Sequence, residues 1–277
     1  MAQSASSYFN NAIVGVPQVG ADVNPFDMHN SPKFALGTKF EAQDGSVYRY
    51  SQFGANVNRG ILVAQDLSET GVVETAAIVV DTNSAQAVPN ETITAGNIGS
   101  NYLEVTKASV TADDYAGGYL SIMNGGGEGF SYRIRGNTAT DTPATGNFRL
   151  ELYDKIQASV GAATSIGVLG SLYSNLEGAV AASDVAVAGV TVNQIVVATA
   201  AYGWIKSKGP VTVLLDTTEP AIGDMVTLSD DTTGAVQAMG GGDLISTAAI
   251  IGEGFLGICA IAGSSTGHGV VLLQSLD

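Results

Sequence analysis

One stretch of sequence decides the fold class: Tyr119-Leu-Ser-Ile-Met-Asn-Gly-Gly-Gly-Glu-Gly-Phe-Ser-Tyr-Arg-Ile-Arg135. Its two apolar runs flank a glycine-rich turn at residues 125–129, which is the pattern of a β-hairpin. In the second run Phe130, Tyr132 and Ile134 alternate with polar residues, as in a strand that buries one face. The stretch therefore predicts two paired strands and a β-rich fold.

Short runs of the same kind recur from Phe34 to the end of the chain, separated by turns rich in Gly, Asp and Asn. Residues 148–152 alternate as the hairpin does. Two further runs at residues 201–206 and 211–215 flank a turn predicted at residues 208–210. Many short strands without long helices between them are typical of sandwiches and small barrels. We therefore predict an all-β fold with two β-barrel-like or β-sandwich-like lobes.

Changes in composition divide the chain into four predicted segments. Residues 1–33 form an extended N-terminal arm, and residues 34–155 form the first β lobe. Residues 156–195 form a connecting segment, because glycines interrupt its Ala-, Ser- and Leu-rich sequence before a helix can develop. Residues 196–277 form the C-terminal β lobe.

The predicted arm has the composition of a docking segment. Its apolar residues come in short clusters separated by Asn, Gly and Pro, and no periodicity connects them. A disordered tail normally carries more charge and fewer aromatic residues. We therefore expect the arm to lie across a partner subunit, with contact candidates Tyr8, Phe9, Ile13, Val14, Pro25, Phe26 and Met28.

The charge of the chain restricts its partners. Eleven basic and 26 acidic residues give a net charge of −15, whereas nucleic-acid binding requires a concentrated Lys/Arg surface. Residues 1–60 hold four acids and four bases, but residues 177–277 hold ten acids and only two lysines. Charged residues make up 13% of the chain, well below the roughly 25% of ordinary soluble domains. We expect a surface that is partly buried against copies of the chain, with an acidic far end and no nucleic-acid partner.

Neither secretion nor a membrane span is expected. The N-terminus lacks the basic and apolar regions of a signal peptide, and the apolar stretch at residues 244–263 contains Glu253 and no basic flank. Cys259 is the only cysteine, so an intrachain disulfide is excluded, and we expect this side chain to pack as a small buried hydrophobe. The sequence thus predicts synthesis in a cytoplasm.

Motifs that would carry chemistry are weak. Residues 252–257 match the GxGxxG spacing, but the helix and the following acid of a dinucleotide-binding unit are missing. His29 and His268 are the only histidines, and they lie at opposite ends of the chain rather than in a metal-binding cluster. Trp204 is expected in a core rather than on a sugar-binding platform. We predict no catalytic, cofactor-binding or metal-binding residues, and no enzymatic activity.

Two acidic pairs are predicted to lie in solvated turns. Asp113 and Asp114 follow Thr111, which is placed to cap a single helical turn, and Asp230 and Asp231 stand in a Ser/Thr-rich turn. Glycosidase carboxylates need only be close in space, so the sequence leaves that alternative open.

Three segments resemble known structural proteins. They are Tyr115-Ala-Gly-Gly-Tyr-Leu-Ser-Ile-Met-Asn-Gly-Gly-Gly-Glu-Gly-Phe-Ser-Tyr-Arg-Ile-Arg-Gly-Asn137, residues 201–239 with Tyr202-Gly-Trp-Ile205 and Gly223-Asp-Met-Val-Thr-Leu228, and residues 252–273. Together they resemble capsid decoration (cement) proteins of marine and cyanobacterial tailed phages. The matching motifs consist of glycines and turns, which specify strand geometry rather than a reaction.

The resemblance implies a structural virion protein made in the host cytoplasm and placed on the capsid exterior. It implies β-barrel or β-tulip lobes that bind the major capsid protein and bridge neighbouring capsomers as trimers or dimers, with trimers favoured. A virion fibre or adhesin module that binds a host glycan is the alternative, and a polysaccharide-cleaving enzyme on a β scaffold is a third class. One tryptophan, no aromatic repeats and no converging site in the sequence disfavour both.

Overall fold

The computed structural model describes residues 23–66, 78–79, 98–106, 110–140, 147–160, 164–180, 185–239, 255–264, 267–274 and 276. Every regular element within these ranges is a β-strand, and one of the two sheets curls into a half-barrel. The predicted all-β fold is confirmed. These ranges hold no helix long and apolar enough to cross a membrane.

Seventeen strands are present in the described residues. In chain order they are β1 Met28–His29, β2 Lys39–Glu41, β3 Val47–Gln52, β4 Leu62–Asp66, β5 Ile78–Val79, β6 Tyr102–Thr106, β7 Tyr119–Asn124, β8 Ser131–Asn137, β9 Asn147–Leu152, β10 Ser165–Leu169, β11 Glu177–Gly178, β12 Val185–Thr191, β13 Tyr202–Leu214, β14 Met225–Leu228, β15 Val236–Ala238, β16 Gly257–Ile261 and β17 His268–Leu273. All pairings between these strands are antiparallel.

The chain forms two compact units, one inserted into the other. The flanking unit comprises Met1–Asp66 and Leu172–Asp277, and the inserted unit comprises Leu67–Ser171. These limits differ from the predicted lobes at residues 34–155 and 196–277. The difference arises because β4 pairs with β12, which follows it only after the whole inserted unit. Strand patterns indicate which residues form strands, but they do not show which strands pair over such a distance.

The flanking unit contains the eleven-stranded sheet, in the order β11-β4-β12-β13-β17-β16-β14-β15. Strands β1 and β3 also pair with β13, and β2 pairs with β3. The inserted unit contains the six-stranded sheet, in the order β5-β10-β7-β8-β9-β6. The predicted connecting segment at residues 156–195 therefore contributes strands to both sheets: β10 to one, and β11 and β12 to the other.

Strand β13 is the longest strand and holds the flanking unit together. It extends over 13 residues and runs straight through residues 208–210, where the sequence analysis predicted a turn. Up to Lys208 it pairs with β3, and from Gly209 onward it pairs with β17. The register of the pairing with β3 shifts between Lys206 and Lys208, as in a β-bulge, and Gly209 has a φ of +97°. The strand therefore changes partner without ending.

An aromatic cluster packs on the first half of β13. Trp204 is buried, with its ring centroid 5.2 Å from that of Tyr50 and 5.3 Å from that of Phe34. Phe40 and Val23 are buried in the same cluster. Trp204 is thus a core residue, as the sequence predicted. Cys259 is also buried, in a second cluster of the flanking unit.

The inserted unit buries one face of its sheet, as the hairpin sequence predicted. Leu120 of β7 lies opposite Tyr132 of β8, and both side chains are buried with Ile134 in one hydrophobic core. Residues 148–152 alternate in the same way between buried and solvent-facing positions. The two predicted strands of this hairpin are confirmed, but β8 begins at Ser131, and Phe130, which was predicted on the buried face, is 42% exposed.

The helical turn predicted after Thr111 is absent from the described residues. The Asp114 carboxylate does accept a hydrogen bond from the Thr111 amide at 2.7 Å, as a helix-capping contact would. Asp113 has a φ of +65°, however, in the left-handed region that a right-handed helix excludes. The segment is therefore a turn, and the helix prediction was wrong.

The bulge of β13 generates a stability prediction. A β-carbon on Gly209 would lie 2.8 Å from Ser46 Oγ, and that hydroxyl is already hydrogen-bonded to Asp44 at 2.9 Å. Gly223 has a similar φ of +94°, but a β-carbon there would meet nothing within 4 Å. Gly223→Ala should lower the free energy of unfolding by about 1–2 kcal/mol, because alanine is strained in the left-handed backbone conformation. Gly209→Ala should lower the free energy of unfolding by about 1 kcal/mol more than Gly223→Ala does, because the Ser46 side chain must move.

Denaturant unfolding followed by the fluorescence of Trp204, the only tryptophan, measures both variants in the flanking unit. Equal losses of unfolding free energy for Gly209→Ala and Gly223→Ala would show that the bulge has room for a side chain.

Candidate interaction surface

The outer face of the six-stranded sheet carries an unusual set of side chains. An antiparallel sheet that faces water on one side normally presents polar residues there. Here five large apolar or aromatic side chains are 38% to 56% exposed, and three arginines lie among them. We call this surface the Arg–Tyr face, and its members are Tyr102, Tyr119, Met123, Arg133, Arg135, Arg149, Tyr153 and Leu169.

One row of the Arg–Tyr face crosses four strands. Leu169 of β10 lies opposite Tyr119 of β7, and Tyr119 lies opposite Arg133 of β8. The Arg133 carbonyl accepts a hydrogen bond at 3.0 Å from the amide of Tyr153, just after β9. The Arg133 guanidinium lies over the Tyr153 ring, 5.2 Å from its centroid. The register of the sheet therefore lines up three apolar groups with one cation.

The rest of the face holds its arginines in fixed positions. Arg149 donates to the Glu104 carboxylate at 2.9 Å and lies 4.3 Å from the Tyr102 ring centroid. Arg135 donates to Glu151 at 2.7 Å. The hydrogen bond with Glu104 raises the pKa of Arg149. Exposed ion pairs of this kind add little stability. They do restrict the arginine side chains, which lowers the entropy lost when a partner binds.

Arg133 differs from the other two arginines of the face. Within the described residues no carboxylate forms an ion pair with it, so its charge is compensated only by the Tyr153 ring. A guanidinium in this position can accept a carboxylate from a partner as a two-pronged pair. The face thus combines an apolar row with one cation available to a partner.

The composition of the face is that of a protein-binding surface. Tyrosine and arginine are the residues that most often dominate the binding energy of protein interfaces, and exposed apolar patches mark such interfaces. Three of the five arginines of the whole chain lie here, although the net charge is −15. The arrangement is suited to a partner that presents carboxylates around an apolar centre.

The structure places the predicted arm residues differently from this face. Tyr8, Phe9, Ile13 and Val14 lie outside the described residues. Pro25 is buried, and Met28 belongs to β1, pairs with Gly203 and packs against a core of the flanking unit.

Phe26 is 51% exposed and is the one described arm candidate that is open to a partner. The part of the predicted arm from Val23 onward therefore packs into the fold of its own chain, because backbone pairing with β13 fixes it there.

The polar residues considered for chemistry do not converge in the described residues. Asp113, Asp114, Asp230 and Asp231 are exposed in turns or bends, as predicted. His29 contacts the Tyr50 hydroxyl through Nδ1 at 3.1 Å. No group of three or more His, Cys, Asp or Glu side chains within the described ranges could hold a metal ion.

The sequence contains part of the signal for the Arg–Tyr face, although none of its residues was predicted as a site. The hairpin alternation already placed Arg133 and Arg135 on one side of β8. Extending the same alternation to β7 puts Tyr119 and Met123 beside them, on the face opposite Leu120. The order of β9 and β6 across the sheet was needed to add Arg149 and Tyr102.

Comparison with known proteins gives no further information on the site. No family model, curated protein or solved structure matches this chain. The function is therefore inferred from the fold, the surface and the sequence itself.

Exposure of the Arg–Tyr face predicts that its side chains can be removed without loss of the fold. Tyr119→Ser and Arg133→Ser should each lower the free energy of unfolding by less than about 1 kcal/mol. Leu120→Ala, at the neighbouring buried position, should cost about 2–5 kcal/mol. Denaturant titration followed by far-UV circular dichroism measures all three. A loss at Tyr119 as large as that at Leu120 would mean that the face is covered in the free protein.

Proposed function

We propose that this protein is a capsid decoration (cement) protein of a tailed phage, a structural virion protein that binds the outer capsid surface. The Arg–Tyr face is the observation that carries the proposal. It presents Tyr119, Tyr153 and Leu169 to solvent with Arg133 between the two tyrosines, on an antiparallel sheet. Residues whose backbone is hydrogen-bonded in a sheet lose less conformational entropy when a partner binds than residues of a flexible loop do.

The distribution of charge supports a carboxylate-bearing partner surface on the major capsid protein. The chain as a whole carries −15, so most of its surface repels another acidic surface. The Arg–Tyr face is the exception to this acidic surface, because it carries Arg133, Arg135 and Arg149. Complementary charge on the capsid would select this orientation during encounter and would disfavour others. The protein would then bind with the inserted unit toward the shell.

Bridging of neighbouring capsomers belongs to the same proposal. A low charged fraction of 13% and a hydrophobic fraction of 45% favour contacts between copies. We propose self-association, with a trimer favoured over a dimer. Each contact then needs only modest affinity, because several linked contacts on one shell act together. In this role the protein needs no catalytic residue, cofactor or metal.

A virion fibre or adhesin module that binds a host glycan is the second candidate. One observation favours it: a cavity in the flanking unit that is lined by aromatic and cationic side chains. We nevertheless favour the decoration role. The exposed row of the Arg–Tyr face is long and spans several strands, which suits a protein partner better than a small pocket would.

Binding to capsids assembled without this protein tests the proposal. Wild-type protein should bind in a copy number comparable with that of the shell subunit and should protect the particles against heat. The double variant Tyr119→Ser/Arg133→Ser should bind at least about tenfold more weakly, because tyrosine and arginine at an interface centre typically each contribute more than about 1 kcal/mol. Sedimentation of particles with bound protein measures the copy number.

Ile222→Ser is the matched control for this experiment. Ile222 is 70% exposed, but it belongs to the flanking unit and is not a member of the Arg–Tyr face. The Ile222→Ser variant should bind capsids as the wild-type protein does. Equal binding by the double variant and by Ile222→Ser would contradict a role for the face, and a copy number of only a few per particle would favour the fibre or adhesin role.

A deletion that tests the arm has to stop before Val23. Removing residues 2–30 would also remove β1 and the buried Val23. Deletion of residues 2–22 leaves these contacts in place and should leave a folded protein that retains capsids less well. Unchanged protection of particles against heat would show that Tyr8, Phe9, Ile13 and Val14 do not take part in binding.

A further inference from the structure

A cavity of about 460 Å³ opens on the flanking unit where β12, β13 and β17 approach one another. Its volume falls within the roughly 300–1,000 Å³ that is typical of small-ligand pockets. Its lining includes three residues with nitrogen-bearing side chains, Arg59, Lys206 and His268, and also Phe26, Tyr48 and Thr212.

The lining is cationic in a protein that is strongly acidic. The chain has eleven Lys and Arg residues and two His residues, and three of these thirteen side chains line this one cavity. They come from separate places in the sequence: the segment before β4, the middle of β13 and the start of β17. Among the described residues that line the cavity there is no carboxylate. The charge of the site is therefore not neutralised from within its own lining.

Lys206 lines the cavity and has a hydrogen-bond partner within it. Its side chain is buried, its Nζ atom donates to the Pro210 carbonyl at 2.7 Å, and it lies 5.3 Å from the Tyr48 ring centroid. Burial lowers the pKa of Lys206, and the charge of Asp44 opposes that effect. A buried ammonium that has one hydrogen-bond acceptor retains two further donors.

Backbone hydrogen bonds fix the part of the lining around Gly60. Its amide donates to the Thr191 carbonyl at 2.8 Å, and its carbonyl accepts from the Leu214 amide at 2.7 Å. The His268 imidazole lies directly over this backbone, because a β-carbon on Gly60 would be 2.8 Å from His268 Cδ2. The His268 ring therefore lies against the backbone of Gly60, the residue that follows Arg59.

We propose that this cavity binds a sugar carboxylate, a monosaccharide of the uronic-acid type. The three nitrogen-bearing side chains call for an anion, and the planar guanidinium of Arg59 matches a carboxylate. The half-exposed ring of Phe26 offers an apolar surface to one side of a sugar ring, and the exposed hydroxyl of Thr212 is available to a sugar hydroxyl.

Calorimetric titration of the full-length protein with three probes tests the site at about 0.15 M salt, where nonspecific attraction is screened. Glucuronate carries both the ring and the carboxylate, glucose carries only the ring, and acetate carries only the carboxylate. Glucuronate should bind at least tenfold more tightly than either of the others. Arg59→Gln should weaken glucuronate binding at least tenfold, and because Arg59 is exposed the variant should fold normally.

Lys208→Gln is the matched control. Lys208 is exposed, lies two residues from Lys206 in β13 and is not part of the lining, so its removal changes the net charge by the same amount. The Lys208→Gln variant should bind glucuronate as the wild-type protein does. Equal losses in Arg59→Gln and Lys208→Gln would overturn the proposal, since the effect would then be one of net charge alone.

The probes also separate the alternatives. Acetate binding as tight as that of glucuronate would overturn the sugar assignment and point to a carboxylate from a protein partner. Glucose binding as tight as that of glucuronate would overturn the role of the cations, and absence of glucuronate binding would overturn the site itself. The Tyr119→Ser/Arg133→Ser variant should bind glucuronate normally, so failure of the capsid proposal would leave this result unaffected.

Discussion

The continuous hydrogen bonding of β13 is the constraint on which the flanking unit depends. Its first half is joined to β3, β12 and β1, and its second half is joined to β17. A break at residues 208–210 would separate the aromatic cluster around Trp204 from the core that contains Val213. The strand continues there with a register shift between Lys206 and Lys208, and Gly209 adopts the left-handed backbone at the point where the pairing partner changes. The bulge also directs Lys206 and Pro210 toward the same cavity.

The two units present different chemistry from similar sheets. The inserted unit places its charged and aromatic side chains on the outside of a sheet, where they form a broad surface suited to a partner of comparable breadth. The flanking unit gathers Arg59, Lys206 and His268 around a concave site of small-ligand size. Both sites concentrate cations in an acidic chain. Each site therefore favours an anionic partner or ligand that the rest of the surface repels.

Local sequence signals predicted local structure well. Alternation across Tyr119–Arg135 specified the hairpin and its buried side, and the apolar surroundings of Trp204 and Cys259 indicated burial. Pairing between distant strands was not accessible, because β4 carries no mark that distinguishes β12 from any other apolar strand. The domain limits, the placement of Met28 in β1 and the gathering of cations around Gly60 all follow from such pairings. The straight course of β13 was missed because Gly-Pro also occurs in turns.

Insertion of one unit between β4 and β11 has a consequence for the order of folding. The partners in the six-stranded sheet all lie within Leu67–Ser171, so this sheet can close while the ribosome is still adding the rest of the chain. The flanking sheet must wait for β12, β13 and β17. Until then, of its first four strands, only β2 and β3 can pair with each other. Once the inserted unit has folded, the ends of the long loop are already brought nearer than in an unfolded chain, which lowers the entropic cost of joining β4 to β12.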